Sequence, residues 1–353
     1  MNNPFIEGDV SHEKLLAHDL QRLRSMRLPN GTIAASTKRS YDHIWIRDCG
    51  HVALCYLLTG RHIEATRVLK GVFEILARYE HKIDRCIARG EPEDAKDLLH
   101  PIYNAFGYEF VDGWGFRQND AIGLTLYVSA MARKAGCPVV RNDRDLRITQ
   151  KLVRYLEAIP YWKPENSVWE EAHVVSTPTI YSCIKGLEAI REYVDAPETL
   201  IQTGYEVGRS LANRHSDLYE VDASQLYLYF PLAVERDSAI IERIEQELRR
   251  SHGVIRHLGD YYQAGQDGQE AEWNWIFYWL GISHFHLGNR EKAADYLRLG
   301  DSLRFPPDWS IPEAYIPLMG TDQQIVHVPS EHTPLAWGHA YAALLRYWLY
   351  LSK

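Results

Sequence analysis

Apolar residues recur at helical spacing along most of this 353-residue chain. Apolar side chains within residues 63–76 share one face of a helix, and 344–351 repeats the i, i+3, i+4, i+7 pattern. The alternation of residue types that is typical of β-strands is scarce, and residues 226–230 are the best candidate for a strand. The chain is therefore expected to be all-α, with about a dozen helices. Further helices are predicted near residues 12–26, 48–59, 119–135, 143–158, 174–193, 197–214, 237–250, 271–287 and 290–303.

Two architectures accommodate a series of helix pairs. One is an open solenoid, and residues 275–303 do resemble a single tetratricopeptide unit. A solenoid should repeat that unit every ~34 residues, and we find one copy. The alternative is a closed toroid of helix pairs, in which the loops at one end face one another. No low-complexity segment divides the chain, so one domain over residues 1–353 is predicted.

Charge and cysteine content limit the partners and the compartment. The net charge of −8 argues against nucleic acid or an anionic membrane as the main partner. Five cysteines without a C-x-x-C pair fit a reducing compartment. The start of the chain lacks the basic and apolar segments of a signal peptide, and the apolar run at 52–58 is too short to span a bilayer. A soluble cytoplasmic protein is expected.

Cofactor and metal motifs are weak or missing. The sequence has no phosphate-binding G-x-x-x-x-G-K-[ST] loop and no G-x-S-x-G elbow. His284 and His286 are two apart on a predicted helix and so point to different faces. His327 and His332 lie in a predicted loop without a carboxylate at matching spacing. We therefore predict no metal and no cofactor.

Carboxylates next to tryptophan in predicted loops give the clearest chemical signal. Hydrolysis of a glycosidic bond needs one carboxylic acid to protonate the leaving oxygen and a second carboxylate to activate water or attack carbon. Aromatic walls exclude water and raise the pKa of the acid. Tyrosine and tryptophan are abundant, and 12% of the residues are aromatic. The segments concerned are Trp169-Glu170-Glu171, Trp45-Ile46-Arg47-Asp48, Glu272-Trp273 and Pro312-Glu313.

In chain order, six segments resemble motifs of the glucoamylase family, glycoside hydrolase family 15. The resemblance runs from about residue 30 to residue 345, and each segment alone is a weak signal. The segments are 30–36 with 41–48, 113–120, 168–171, 253–260, 312–313 and 334–340.

The resemblance implies an (α/α)6 barrel and an inverting exo-acting glucosidase that releases β-glucose. It places the general acid on Glu170 and the general base on Glu313. Arg47 and Asp48 would bind hydroxyls of the terminal glucose. The full set of expected substrate-binding residues is Tyr41, Trp45, Arg47, Asp48, Trp114, Gln118, Asp120, Trp169, Glu171, Arg256, Asp260, Trp273 and Trp337.

Four residues depart from the pattern of fungal members on the leaving-group side: Phe116, Ala172, His173 and His257. Together with the absence of a starch-binding module, this favours short α-linked gluco-oligosaccharides, with α-1,6 links slightly preferred over α-1,4. Trehalose hydrolysis or an epimerase-like reaction on the same barrel remains open. A non-catalytic helical domain that binds carbohydrate or protein also remains open, because fold alone does not fix function.

Overall fold

The structure is a computed structural model that describes residues 3–6, 10–38, 41–110, 115–171, 173–265 and 268–352. These residues form twelve α-helices and four short strands, which pair antiparallel as β1–β2 and β3–β4. The helices are α1 His12–Ser25, α2 Ile46–Leu58, α3 His62–Arg78, α4 Glu80–Arg89, α5 Asn119–Lys134, α6 Asp143–Ala158, α7 Thr177–Ile190, α8 Glu198–Ser210, α9 Ala239–Glu247, α10 Ile276–His286, α11 Arg290–Ser302 and α12 Ala336–Tyr350. The strands are β1 Ile44–Trp45, β2 Ile102–Tyr103, β3 Tyr315–Met319 and β4 Ile325–Pro329.

Every predicted helix is present, but the strand predicted at 226–230 is wrong. Residues Ala223–Leu228 form a 3₁₀ helix that begins with a capping box. The Asp222 side chain accepts from the backbone N–H of Ser224, and the Gln225 side chain accepts from the N–H of Asp222. The whole segment is buried, so alternation of residue types does not separate an inner from an outer face. The sequence reasoning also missed α4 and the β3–β4 hairpin.

One compact unit consists of Arg27–Ala34 and His43–Glu220 and contains α2 to α8. Its most extensive helix contact joins α5 and α7. Glycines allow the two backbones to meet, because a Cβ on Gly123 would lie 2.5 Å from backbone atoms of Ser182 and Cys183. A Cβ on Gly186 would lie 2.3 Å from the carbonyl oxygen of Gly123. Helix α2 packs on α3 and α5, and Arg47 in the first turn of α2 lies 3.5 Å from Asp120 in the first turn of α5.

The other unit consists of Met1–Met26, Ala35–Asp42 and Val221–Lys353. Its core is α10, which contacts both α11 and α12. The indole ring of Trp275 lies 4.6 Å from that of Trp337 and 5.8 Å from that of Trp279. A buried ion pair adds to this core, since Arg304 donates to both oxygens of Asp19 at 2.7 and 2.9 Å.

None of the helices in the described parts of the chain is long and apolar enough to cross a bilayer. The cytoplasmic location and the single catalytic domain over residues 1–353 stay predictions.

Candidate active site

Glu170 lies in a loop that the backbone fixes at both ends. Glu165 and Val174 exchange two backbone hydrogen bonds of 3.0 and 2.9 Å, which close the segment between them. Within it, Glu170 has a φ of 68°, in the left-handed region that costs a non-glycine residue about 1 kcal/mol or more. The Glu170 side chain is 8% exposed. A strained residue with a buried carboxyl group in a loop is typical of a functional position.

Arg47 holds this carboxyl group in place. Its guanidinium donates to Glu170 Oε1 at 2.8 Å, to the carbonyl oxygen of Val168 at 2.8 Å, and to Gln118 Oε1 at 2.7 and 2.9 Å. Arg47 Nε lies 3.5 Å from Asp120 Oδ2. Arg47 comes from the first turn of α2, while Gln118 and Asp120 come from the start of α5. The structure therefore brings three other predicted site residues, Gln118, Asp120 and Glu170, together around the buried guanidinium of Arg47.

Burial is the main reason that the pKa of Glu170 rises to about 7. The charge of Arg47 and a hydrogen bond from Gln118 act in the opposite direction, and the nearby charges of Asp48 and Asp120 raise the pKa further. A carboxyl group with a pKa near neutrality is half protonated at neutral pH. It can therefore donate a proton, which an ordinary glutamate cannot do under those conditions.

Glu165 is a second perturbed carboxyl group in the same loop, and no motif or neighbouring residue in the sequence singled it out. Burial and the charge of Asp120 raise the pKa of Glu165 to about 8. Its side chain accepts from Thr179 Oγ1 at 2.5 Å and from the backbone N–H of Asn119 at 3.0 Å. Burial also raises the pKa of Asp120. At neutral pH this group of carboxyls therefore carries fewer negative charges than its composition suggests.

The other predicted residues of this unit differ in exposure. Trp45 is buried in β1, and Asp48 is buried in the first turn of α2. Trp169 is half-buried and Glu171 is exposed. Trp114 and Ala172 lie outside the described residues.

In the other unit, Glu313 is held by two neighbours through one oxygen. Glu313 Oε2 lies 2.6 Å from His332 Nδ1 and accepts from Gln263 Nε2 at 2.5 Å. The Glu313 side chain is 5% exposed. Its other oxygen, Oε1, accepts no hydrogen bond from the residues that the structure describes. One oxygen is thus anchored and the other is open to an additional donor.

The ring of Tyr41 supports His332 by stacking on it, with centroids 3.8 Å apart and an interplanar angle of 11°. The Tyr41 hydroxyl also lies 3.0 Å from the hydroxyl of Tyr262. The predicted substrate residue Tyr41 is therefore placed next to the predicted base.

The buried side chains of Arg256 and Asp260 form an ion pair with two hydrogen bonds, whose N–O distances are 2.7 and 2.6 Å. The guanidinium of Arg256 lies 4.9 Å from the ring centroids of both Tyr262 and Trp273. Trp337, by contrast, lies in the first turn of α12 and packs in the aromatic core against Trp275.

His327 and His332 contact carboxylates that are distant in the sequence. His332 meets Glu313, nineteen residues away, and His327 lies in β4, not in a loop, with its Nε2 2.8 Å from Glu272 Oε1. His252, Glu272 and His327 offer possible metal-ligand atoms within 4.8 Å of one another. However, the two imidazole rings stack at 3.9 Å and 16°, so their in-plane lone pairs run nearly parallel and do not converge on one ion.

An all-α chain with buried, perturbed carboxyl groups in its loops has the features of a glycoside hydrolase. The chain belongs to glycosyl hydrolases family 15, whose sequence profile matches residues 11–270. This confirms the family resemblance and, with the structural similarities, the (α/α)6-barrel fold class.

The chain is similar to a wild-type glycosidase of known structure, with a TM-score of 0.79, 20% identity, and coverage of 97% of this chain and 99% of that one. A bacterial glucoamylase complexed with acarbose has a TM-score of 0.68, with 15% identity, and covers 94% of this chain and 55% of its own. Among curated proteins, a probable phosphorylase b kinase regulatory subunit alpha from Caenorhabditis elegans is 23% identical over 94% of this chain. This chain spans about a third (32%) of the length of that relative.

Proposed function

We propose that this chain is an inverting, exo-acting α-glucoside hydrolase that releases β-glucose from the non-reducing end of short α-gluco-oligosaccharides. Glu170 is the general acid and Glu313 is the general base. The observation that carries the proposal is the contrast between the two carboxyl groups. Burial raises the pKa of Glu170 to about 7, whereas Glu313 keeps one oxygen anchored and one open to an additional donor.

The proposed reaction is a single displacement at the anomeric carbon. The protonated carboxyl group of Glu170 donates its proton to the glycosidic oxygen as the bond from that oxygen to the anomeric carbon breaks. A water molecule forms the new bond to that carbon from the opposite face, and Glu313 Oε1 accepts the water proton. Proton exchange with solvent then restores both groups. Arg47 and Asp48 bind hydroxyls of the terminal glucose, which excludes longer chains on that side.

The size of the substrate is inferred from the leaving-group residues. Phe116 is half-buried, and the centroid of its ring lies 4.6 Å from that of His100. His257 is buried and His173 is exposed. An α-1,6 link has one more rotatable bond than an α-1,4 link, so the second sugar needs a differently shaped wall. We propose that these side chains supply that wall, with isomaltose-type links slightly preferred over maltose-type links.

The proposal is tested with the purified wild type and a Glu170→Gln variant. Proton NMR in the first minutes should show β-glucose released from the best disaccharide, and early α-glucose would refute the assignment of a base. Glu170→Gln should lower kcat on the disaccharide ~10²–10⁴-fold. The same variant should keep most of its activity on α-glucosyl fluoride, whose leaving group needs no protonation. Glu157→Gln, an exposed carboxylate in α6, is the matched control.

A second candidate is a non-catalytic carbohydrate-binding domain, favoured by the similarity to a protein named as a regulatory subunit. Binding of isomaltose or maltose to the wild type without release of glucose would support this candidate over the hydrolase.

A further inference from the structure

Gln263 carries an acceptor that the residues described above leave unused. Its amide nitrogen donates to Glu313 Oε2 at 2.5 Å. Its amide oxygen, Oε1, is buried and accepts no hydrogen bond from the described residues. A buried polar atom without a partner costs about 1–3 kcal/mol, so such an atom is typical of a position that a ligand or water completes.

The orientation of this amide follows from its neighbours. If the group were turned over, its oxygen would face the carboxylate oxygen of Glu313 at 2.5 Å, and two acceptors would repel each other. His332 Nδ1 lies 2.6 Å from the same carboxylate oxygen, so it carries the proton in that contact. The donors of Gln263 and His332 therefore both point to Oε2, and the amide oxygen of Gln263 remains as an acceptor.

The backbone also holds Gln263 in this place. Its φ is 55°, in the left-handed region, where a non-glycine residue is strained by about 1 kcal/mol or more. Strain of this kind persists where the surrounding structure over-determines a position, and such positions cluster at active sites.

A hydrolytic water must be oriented as well as deprotonated. It has two protons, and a fixed direction of attack requires an acceptor for each of them. Glu313 Oε1 and Gln263 Oε1 are two acceptors on side chains that are hydrogen-bonded to each other, and neither accepts a hydrogen bond from the described residues.

We propose that Gln263 is a further catalytic residue, which binds the second proton of the hydrolytic water while Glu313 takes the first. This inference rests on the proposed function, since it requires Glu313 to be the base. In the reaction, one O–H bond of the water breaks toward Glu313 Oε1 as the oxygen bonds to the anomeric carbon. The other O–H bond stays intact and donates to Gln263 Oε1.

The test compares Gln263→Leu, which removes both the donor and the acceptor, with Gln269→Ala, an exposed glutamine on the same loop. Gln263→Leu should lower kcat ~10–100-fold with KM changed less than about threefold, because the substrate contacts remain. The loss should be as large on α-glucosyl fluoride as on a disaccharide, since the water step is needed for both substrates. Gln269→Ala should match the wild type.

A second variant, Gln263→Glu, tests whether the side chain at position 263 contacts the base, as the proposal requires. It keeps the shape but places two carboxylates at hydrogen-bond distance, so one proton is shared between them. The acidic limb of the kcat/KM profile should then move up by about one pH unit or more. The other charged or titratable groups of its own unit near this site include Tyr41, Tyr262, His332 and Glu331, whose Oε1 lies 3.7 Å from His332 Nε2. They also include Arg256, whose guanidinium lies 4.9 Å from the ring centroid of Tyr262, and its partner Asp260.

The possible outcomes test the role of Gln263 separately from the proposed function. A wild type that releases β-glucose while folded Gln263→Leu keeps its kcat, or loses activity on the disaccharide only, overturns the role of Gln263 alone. An unchanged acidic limb in Gln263→Glu also overturns it. A wild type that hydrolyses no α-glucoside overturns the proposed function itself.

Discussion

Replacing Arg47 with methionine should make the enzyme slower and yet extend its activity to more alkaline pH. The guanidinium of Arg47 lies 2.8 Å from Glu170 Oε1 and favours the charged form of that carboxyl group. Two unit charges at that distance interact by roughly 6 kcal/mol at an effective dielectric constant of ~20. That energy corresponds to about four pH units. It is an upper bound on the change in the pKa of Glu170, because water that enters the space left by the arginine offsets much of the lost interaction.

The expected change is therefore a rise of about one to two units in the pKa of Glu170 from its value of about 7. In the proposed mechanism Glu170 acts in its protonated form, so a higher pKa of Glu170 moves the basic limb of the kcat/KM profile to higher pH. The maximum rate should fall ~10²-fold, because the arginine also fixes the orientation of Glu170 through Gln118 and the carbonyl of Val168.

The assay is a pH series of kcat/KM on the best disaccharide, with folding checked by circular dichroism at each pH. Loss of one partner from a buried ion pair can cost about 3–5 kcal/mol of stability, so the series is run well below the melting temperature of the variant. Arg214→Met, at an exposed arginine of the same unit, is the control. A basic limb that stays in place or moves to lower pH would refute the electrostatic argument.

Two further predictions concern the glucose site and the substrate. Asp48→Asn should lower kcat/KM ~10²-fold with little change in melting temperature, and it should move the basic limb to lower pH, because the charge of Asp48 raises the pKa of Glu170. Activity lost only through a lower melting temperature would instead indicate a structural role. Among isomaltose, isomaltotriose, maltose, maltotriose and soluble starch, kcat/KM should be highest for isomaltose. A steady rise with chain length, with starch best, would contradict the preference for short substrates.

Helices such as α3 and α6 could be predicted from the sequence because each buries one apolar face at regular spacing, whereas α2 and α10 are buried on all sides and are marked by their long apolar runs. The exceptions show where that signal fails. Helix α4 has ten residues and buries Ile83, Cys86 and Lys82, too few positions to establish a period. In the β3–β4 hairpin, Ile325, Val326 and Val328 of β4 are all exposed, and β3 (Tyr315–Met319) is apolar at every position, so residue types do not alternate in either strand.

Local sequence patterns singled out candidate site residues only where functional side chains are adjacent in the chain, and the roles of Glu170 and Glu313 were expected from the family resemblance. Glu170 follows a tryptophan and Asp48 follows an arginine, and these pairs were the signal. Arg47 meets its partners across 71 to 123 residues, and Gln263 meets Glu313 across 50. No local sequence pattern encodes such contacts. The family resemblance therefore predicted that Arg47 contacts sugar hydroxyls, but the sequence did not predict that Arg47 also donates to the carboxyl group of Glu170.

The environments of the two carboxyl groups differ, and this difference supports their proposed roles independently of the order of motifs along the chain. Glu170 is buried near Asp48 and Asp120, and the single guanidinium that contacts it offsets only part of the cost of its charge. Glu313 accepts hydrogen bonds from Gln263 and His332 on one oxygen, Oε2, and its other oxygen, Oε1, accepts none from the described residues. An acid must hold its proton until the leaving oxygen takes it, and a base must be ionised before water arrives. In the proposed roles, the buried carboxyl group of Glu170, whose pKa is raised, supplies the proton, and Glu313 uses Oε1 to take the proton of the water.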